Sequence, residues 1–309
     1  MIFQALETNG WLAEFVPECG ANLCRLKHLD SDYDILRHPP DPETFLNQPE
    51  CWGFPVLFPP NRISNGMFSF QDRTYMFPIN EPVRGNHIHG ILLRAKWTLR
   101  RKTPEQLLFE FRRRADSCWR HDMTVTLQYD FQRDLLRQTF CFRNDSSTPM
   151  PFLFGLHSAF RITDDTKIRI ATDGTSFRLR DDTKLPTGET IRNPAWLTER
   201  RLAPGEKISE LLRKTDDTSF RGMRLDIPSR QLRIDYLPEK QFRFWMLWNG
   251  TGNDHFFCAE PQTCLVDAPN LNLPHETTGF RVLEPGGHLS LLSELRVSYG
   301  PADKKTAEN

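Results

Sequence analysis

Hydrophobic and polar residues alternate along much of this chain, the pattern of strands that bury one face. The clearest run sets five apolar residues on one side and four polar ones on the other: Met123, Val125, Leu127, Tyr129 and Phe131 against Thr124, Thr126, Gln128 and Asp130. Phe140 and Phe142 repeat the pattern after a short turn that contains Asp134. The spacing therefore predicts an antiparallel hairpin.

Further alternating runs lie at 232–236, 242–246 and 289–299, with proline and glycine frequent between them. Convincing amphipathic helices are scarce, and the best short candidates are residues 42–47 and 204–214. Many short strands separated by turns favour an all-β sandwich or barrel. We expect residues 1–300 to form a single domain and the polar residues 301–309 to form a disordered tail.

The charge balance limits the range of partners. The chain has 40 basic and 40 acidic residues in 309. It therefore lacks the excess of positive charge that is typical of proteins that bind nucleic acids or anionic membranes. A local basic excess between residues 96 and 120 includes Arg100, Arg101, Lys102 and the run 112–114. We interpret this segment as the solvated outer face of strands, with a phosphorylated ligand as the alternative.

Seven cysteines without a Cys-x-x-Cys pair favour free thiols over a zinc ribbon or a disulfide framework. The first residues carry no signal-peptide pattern. No stretch approaches the roughly 18 apolar residues of a membrane span. We therefore expect a cytoplasmic protein with neither a membrane nor a nucleic-acid partner.

The candidate chemistry rests on His89, His157 and Glu260, each in a compact local motif. Two imidazoles and a carboxylate suit proton transfer on a neutral polyol, and the chain has no nucleophile elbow, Walker or Rossmann pattern. His87 and His89 form a His-x-His pair, which a strand would direct to one face. No carboxylate follows within the next residues, so we expect no metal site.

Several motifs, in order, resemble the aldose 1-epimerase (galactose mutarotase-like) family, across about residues 12 to 298. They are Asn61-Arg62-Ile63, Gly66-Met67-Phe68, the stretch from Tyr75 to Asn80, Asn86 with His89-Gly90, Gly155-Leu156-His157, Leu185-Pro186-Thr187-Gly188-Glu189, Glu260-Pro261-Gln262-Thr263 and Asp267-Ala268-Pro269-Asn270. The resemblance implies a large antiparallel β-sandwich, the supersandwich of this family, with few short helices. It also implies a small-molecule sugar as substrate and no cofactor.

The resemblance also implies roles for individual residues. Glu260 would be the base that removes the proton of the anomeric hydroxyl, and the apolar residues at 256–258 would raise its basicity by desolvation. His157 would be the acid that protonates the ring oxygen, and we expect the two groups on opposite sides of the C1–O5 bond. The substrate-binding residues would be His89, Arg62, Asp217 and Gln262.

The chain departs from the family pattern at three places. Ser158-Ala159 replace Pro-Tyr after His157, which removes an aromatic ring near the pocket. Asp217 is one residue farther from Phe220 than in the family. Arg94 is one place out of register with an arginine of hexose-6-phosphate epimerase-like relatives. Three functions stay open: an aldose 1-epimerase acting on a hexose, a hexose-6-phosphate 1-epimerase, and a non-catalytic carbohydrate-binding or regulatory protein.

Overall fold

The computed structural model describes residues 4–215 and 220–300, which form mainly short strands. Within these residues the strands, β1 to β26 in chain order, are Gln4–Thr8, Trp11–Val16, Asn22–His28, Tyr33–Asp34, Val56–Leu57, Arg62–Ser64, Met67–Phe70, Arg73–Met76, Asn86–Ile88, Thr98–Lys102, Gln106–Arg113, Met123–Gln132, Leu135–Asn144, Met150–Phe152, Gly155–Leu156, Ala159–Arg161, Lys167–Ile170, Thr172–Leu179, Pro186–Arg192, Ser209–Lys214, Met223–Ile227, Leu232–Pro238, Phe244–Trp248, Phe256–Gln262, Arg281–Leu283 and His288–Tyr299.

The helices in the same residues are short. Helix α1 spans Pro42–Asn47 and α2 spans His275–Thr278, and 3-10 turns lie at Pro49–Cys51, Pro194–Trp196, Pro228–Arg230 and Ala268–Asn270. Asp41 caps α1 by accepting a hydrogen bond from the Thr44 backbone N–H.

Two large antiparallel sheets dominate the architecture. The first large sheet has the strand order β10-β11-β12-β13-β26-β22-β21-β17. The second has the order β19-β18-β20-β23-β24-β15-β5, and β16 also pairs with β24. Strands β1 to β4 form a smaller sheet, and β6-β9, β7-β8 and β14-β25 are two-stranded.

The large sheets pack face to face through aromatic side chains, which makes the fold an all-β sandwich. Tyr236 of β22 in the first sheet lies 5.1 Å, centroid to centroid, from Phe160 of β16 in the second. It lies 6.3 Å from Trp245 of β23. All three rings are fully buried, so the main core sits between the sheets.

The two sheets differ in how their outer faces are used. Strand β12 alternates between buried and half-buried positions from Met123 to Phe131 and ends at the exposed Gln132, so its outer face meets solvent. Strand β24 is buried at every position. Phe257 and Ala259 belong to the main core, so alternation directs Cys258, Glu260 and Gln262 to the opposite face.

Most of the predicted elements are confirmed. The hairpin is β12-β13, the runs at 232–236 and 289–299 lie in β22 and β26, and the helix at 42–47 is α1. The predicted strand at 242–246 begins later, at Phe244.

The helix expected at 204–214 is wrong, because residues Ser209–Lys214 form β20 between β18 and β23. Leu211 and Leu212 are both fully buried. Two flanking strands offer ladder hydrogen bonds on both edges, and such tertiary pairing overrides local helix propensity.

The basic segment lies largely on β10 and β11 and faces water, as expected. Its arginines are exposed or half-buried, and several pair with nearby carboxylates: Arg100 and Arg112 with Glu110, and Arg114 with Asp122. Over residues 4–215 and 220–300, no helix has the length and apolar character that crossing a membrane requires.

Candidate active site

Strand register sets His157 directly opposite Glu260. On strand β24, Gln262 is paired with Gly155 and Cys258 is paired with Ala159. In an antiparallel pair of strands, residue numbers rise along one strand as they fall along the other. His157 and Glu260, which lie midway between these two pairs, therefore face each other. Two residues about a hundred positions apart in the chain therefore meet on one face of the second large sheet.

The two side chains are in direct contact. His157 Nε2 lies 3.3 Å from Glu260 Oε1, and the two side chains are only 5% and 2% exposed. They do not flank a gap the width of a sugar ring, so the expected placement on opposite sides of the C1–O5 bond is wrong. Instead they present neighbouring atoms, and O1 and O5 of a pyranose are also neighbours because both are bonded to C1.

Burial shifts the pKa values of Glu260 and His157 in opposite directions, and both shifts favour the neutral form of the side chain. The pKa of Glu260 is raised well above its usual range by desolvation, and the positive charge of Arg62 partly opposes this shift. The pKa of His157 is lowered to about 4 by burial. A protonated Glu260 and a neutral His157 together carry one proton, the same number as a carboxylate beside an imidazolium.

His89 lies next to this pair. Its ring centroid is 5.2 Å from that of His157, with the rings nearly perpendicular. Its backbone is left-handed, with φ of 68°, and its N–H donates to the carbonyl of Asn61 at 2.9 Å. Burial lowers the pKa of His89 well below its usual range, so the ring is neutral.

The His-x-His pair does not share a face, contrary to expectation. Strand β9 ends at Ile88, and the left-handed turn at His89 redirects that ring toward His157. His87 instead stacks on Phe77 with centroids 4.9 Å apart, and its Nδ1 donates to the Pro78 carbonyl at 2.8 Å.

Arg62 is held by a partner that sequence reasoning missed. Its Nε and Nη2 each donate to the Glu81 carboxylate at 2.8 Å, and its Nη1 donates to Asn61 Oδ1 at 3.2 Å. This bidentate geometry fixes the guanidinium plane. Three of its five N–H donors are occupied in the described part of the chain, which leaves two for a ligand.

Gln262 reaches the same face of β24 as Glu260. Its side chain is fully buried, and neither end of its amide has a hydrogen-bond partner among the described residues. Such orphaned amides are rare in folded proteins, so this one is available to a polar ligand. Asp217, the remaining predicted binding residue, lies outside the described residues, as do residues 301–309.

Cys258 and Trp248 also belong to this site: the sequence predicted Cys258 only as an apolar neighbour of Glu260, and Trp248 was missed. Cys258 precedes Glu260 by two positions, and Trp248 on β23 is the cross-strand partner of Cys258. The Trp248 ring lies 5.8 Å from that of His157. The two-residue spacing to Glu260 was the available signal for Cys258, whereas Trp248 required the strand pairing.

Ser158 and Ala159, which replace the Pro-Tyr of the family pattern, face opposite sides of the second large sheet. Ser158 faces the main core, where its hydroxyl lies 2.8 Å from the Tyr236 hydroxyl. Ala159 lies opposite Cys258 and packs in one cluster with Phe256, Cys258 and Trp248. An aromatic ring is therefore present beside His157, supplied by β23.

Arg37 is held close to this cluster between two aromatic rings. Its guanidinium carbon lies 4.1 Å from the ring centroid of Trp52 and 3.9 Å from that of Phe256. Its positive charge lowers the pKa of the Cys258 thiol, although burial raises that pKa overall. The only side-chain hydrogen bond of Arg37 within residues 4–215 and 220–300 is from Nη1 to the Cys51 carbonyl at 3.4 Å.

A cavity of about 680 Å³ lies beside β6, and its mixed polar and apolar lining includes Ser64, Arg180, Leu185, Asp267 and Leu271. Asp267 connects it to the Arg62 region, because the Asp267 N–H donates to the Arg62 carbonyl at 3.1 Å. His157 and Glu260 do not line this cavity. We locate the candidate chemistry at the His157–Glu260 contact, where an acid and a base with shifted pKa values meet.

The chain is similar to proteins of one family over most of its length. The model of the aldose 1-epimerase family matches residues 6–295. A galactose mutarotase-like protein from Clostridium acetobutylicum is 29% identical, with a TM-score of 0.88 over 96% of this chain and 95% of the other. An aldose epimerase homologue from C. elegans is 18% identical, with a TM-score of 0.79 over 97% and 99%.

A galactose 1-epimerase from Lactobacillus acidophilus NCFM is 14% identical, with a TM-score of 0.74 over 96% of this chain and 94% of the other. At these low identities the second and third structures establish similarity of fold alone.

Proposed function

Because this chain belongs to the aldose 1-epimerase family, we propose that it interconverts the α and β anomers of a hexose by acid–base ring opening. The observation that carries the proposal is the contact between His157 Nε2 and Glu260 Oε1, 3.3 Å apart and shielded from solvent. Glu260 takes the proton from O1, the C1=O1 double bond forms as the C1–O5 bond breaks, and His157 delivers a proton to O5, which keeps the electron pair of that bond. The aldehyde formed at C1 then rotates, and the reverse transfers close the ring on the other face.

The pair needs to hold one proton in total. In ring opening the proton starts on His157, and the pair ends as a neutral imidazole and a protonated carboxyl. Burial favours that end state, while the Arg62 charge favours the carboxylate with which the cycle begins. No net charge enters or leaves the site, so the desolvation cost of each step is small.

The neighbouring polar groups would orient the sugar. His89 is neutral and its Nδ1 is unpartnered within the described residues, so it can bind the ring oxygen or an adjacent hydroxyl. Arg62 offers its two remaining N–H donors, and Gln262 offers both a donor and an acceptor. Asp217 stays a prediction as a ligand of a hydroxyl pair. Ring opening combines two proton transfers with cleavage of the C1–O5 bond and needs no external oxidant or reductant, so the proposed mechanism requires no cofactor.

The decisive experiment compares wild type and Glu260→Gln on a panel of free aldoses, by polarimetry or exchange NMR. Loss of an acid or base lowers kcat by about 10²- to 10⁴-fold. The matched control is Glu239→Gln, since Glu239 also has a buried, unpartnered carboxylate oxygen and a pKa raised by burial. We expect the control to keep wild-type activity.

Two outcomes would reject the proposal. One is a wild type that accelerates no aldose, and the other is a Glu260→Gln rate equal to that of wild type. Sugar binding without turnover would instead support the non-catalytic carbohydrate-binding alternative.

Arg37 favours a second candidate, a hexose-phosphate 1-epimerase. Trp52 and Phe256 hold the Arg37 guanidinium near Cys258, and four of its five N–H donors lack partners in the described chain. An arginine with free donors is a typical phosphate ligand. Arg94 is a poorer candidate, since it donates to the carbonyls of Leu46 and Asn47 at the end of α1.

Substrate preference tests this candidate. If Arg37 binds a phosphate, kcat/KM for glucose 6-phosphate should exceed that for glucose, and Arg37→Gln should lower this ratio by about tenfold or more, the loss of one charged hydrogen bond. Arg94→Gln is the control and should leave the ratio unchanged. A wild type that prefers glucose would exclude the phosphorylated substrate.

A further inference from the structure

Cys258 adds a third metal-ligating side chain to the acid–base pair. One ligand atom from each of His157, Cys258 and Glu260 can be chosen so that all three lie within 4.8 Å of one another, and all three residues are buried. Tetrahedral zinc with bonds of about 2.0 to 2.3 Å requires ligand atoms roughly 3.5 Å apart. The 3.3 Å between His157 Nε2 and Glu260 Oε1 is already close to that spacing.

We propose that His157, Cys258 and Glu260 form an inhibitory Zn²⁺ site. The ion takes the imidazole nitrogen, the thiolate and a carboxylate oxygen, and its fourth position stays open to water or a sugar hydroxyl. Three protein ligands and one open position are a common arrangement for zinc. Glu260 Oε2 is buried and unpartnered within the described residues, so the carboxylate has spare coordinating capacity.

Charge selects the class of ion. Zn²⁺ with one thiolate, one carboxylate and one neutral imidazole forms a complex of zero net charge, which a desolvated site tolerates. Cu⁺ with the same ligands would leave a net negative charge. Mg²⁺ and Ca²⁺ prefer sets of oxygen ligands and are poorly served by a thiolate and an imidazole.

The ion would inhibit anomer exchange because it is bound by the same side-chain atoms that transfer the protons. This part of the inference rests on the proposed function. A Zn²⁺ bound to His157 Nε2 and a Glu260 oxygen removes the proton donor and acceptor together. Anomer exchange should stop in proportion to occupancy and return when a chelator removes the ion.

Cobalt titration of the metal-free full-length chain tests binding without reference to activity. We expect one Co²⁺ per chain, an absorption band from thiolate-to-cobalt charge transfer, and loss of the band when Zn²⁺ displaces Co²⁺. The second described cluster of possible ligands, His28, Asp30 and Asp134, has no thiol and cannot produce this band. A wild type without the band would overturn the proposal.

Substitutions of single residues test whether Cys258 and Glu260 are ligands of the ion. Cys258→Ser should lose the band and should raise the Zn²⁺ concentration for half-inhibition by more than about tenfold, since even outer-shell changes cost that much. Cys264→Ser, another fully buried cysteine, is the matched control and should behave as wild type. Glu260→Gln, close in shape to wild type, should also bind Co²⁺ more weakly, and this readout needs no catalysis.

The outcomes separate the two proposals. Co²⁺ binding through Cys258 in a protein that accelerates no aldose would reject the proposed function and keep the metal site. A Cys258→Ser variant that retains the band would reject the metal site. Full occupancy by Zn²⁺ with an unchanged epimerase rate would reject inhibition.

Discussion

At the scale of single residues, position within the fold changes what each side chain can do. Exposed, Glu260 would be an ordinary carboxylate and His157 would titrate near neutrality. Their burial reverses both tendencies and makes one shared proton the favoured state of the pair. Arg62 depends on Glu81 in the same way, because the bidentate ion pair holds its charge where it acts on Glu260.

The pH dependence of kcat/KM follows from this shared proton. Below the His157 pKa, about 4, a second proton binds and leaves no base, so activity should fall on the acid side near pH 4. At high pH the pair loses its proton as the carboxyl, whose pKa is raised, ionises. Initial-rate measurements across pH should give a bell-shaped profile.

Arg62→Gln provides a second measurement on this profile. Its charge lowers the pKa of Glu260, so its removal should move the alkaline limb to higher pH. An acid limb near pH 6.5 would contradict the buried pair, since that is where an exposed histidine titrates.

At the scale of elements, strand β9 and the turn after it place His89. The backbone is left-handed at His89 and Gly90, with φ of 68° and 66°. A Cβ at Gly90 would lie 2.2 Å from the Phe58 carbonyl oxygen, so only glycine allows this close approach. The turn is therefore determined by the packing of Gly90 against residues 58–59.

Gly90→Ala should destabilise the fold by more than the cost of the backbone angle. Gly85, at the other end of β9, has φ of 69° and nothing within 4 Å of a built Cβ. Gly85→Ala should therefore cost about 1–2 kcal/mol for the left-handed angle alone. Gly90→Ala should cost several kcal/mol in urea denaturation, and should lower activity because His89 shifts. Equal losses for the two variants would show that the steric contact is unimportant.

At the scale of the whole molecule, the sandwich separates stability from chemistry across one strand. Phe257 and Ala259 of β24 pack into the main core, while Glu260 faces away from it. The buried interior also holds neutral histidines outside the site. His121 is fully buried, its Nε2 lies 2.5 Å from the Tyr75 hydroxyl, and burial lowers its pKa to about 4.

His121 should make the protein lose stability as the pH falls from about 6.5 to 4. In that range the unfolded chain binds a proton at this residue and the folded chain does not, so the stability contribution is lost on acidification. The free energy of unfolding should fall by about 1.4 kcal/mol per pH unit from this group.

Urea denaturation of wild type and His121→Gln as a function of pH isolates the effect. The stability advantage of wild type should shrink across the window, whereas His255→Gln, at an exposed position, should parallel wild type. A constant difference between wild type and His121→Gln would contradict the neutral buried state.

Elements held by local interactions could be predicted from the sequence, whereas those that depend on pairing between distant segments could not. The hairpin β12-β13 was predictable because its outer face meets water and its alternation is clean. Strand β20 was mistaken for a helix because its adjacent residues Leu211 and Leu212 are both buried, which interrupts the alternation, and its pairing with β18 and β23 cannot be read from the sequence. Trp248 could not be linked to the site, since only the pairing of β23 with β24 brings it to Cys258.

By itself the sequence determined the all-β class, the family, and the residue types available for proton transfer, because alternation and motif order are properties of the linear chain. Only the tertiary structure decided that His157 and Glu260 touch, that Glu81 holds Arg62, and that His87 and His89 face different neighbours. Contact, burial and charge depend on strand register and on the packing of distant segments. Those quantities decide the pKa values, and hence what the residues can do.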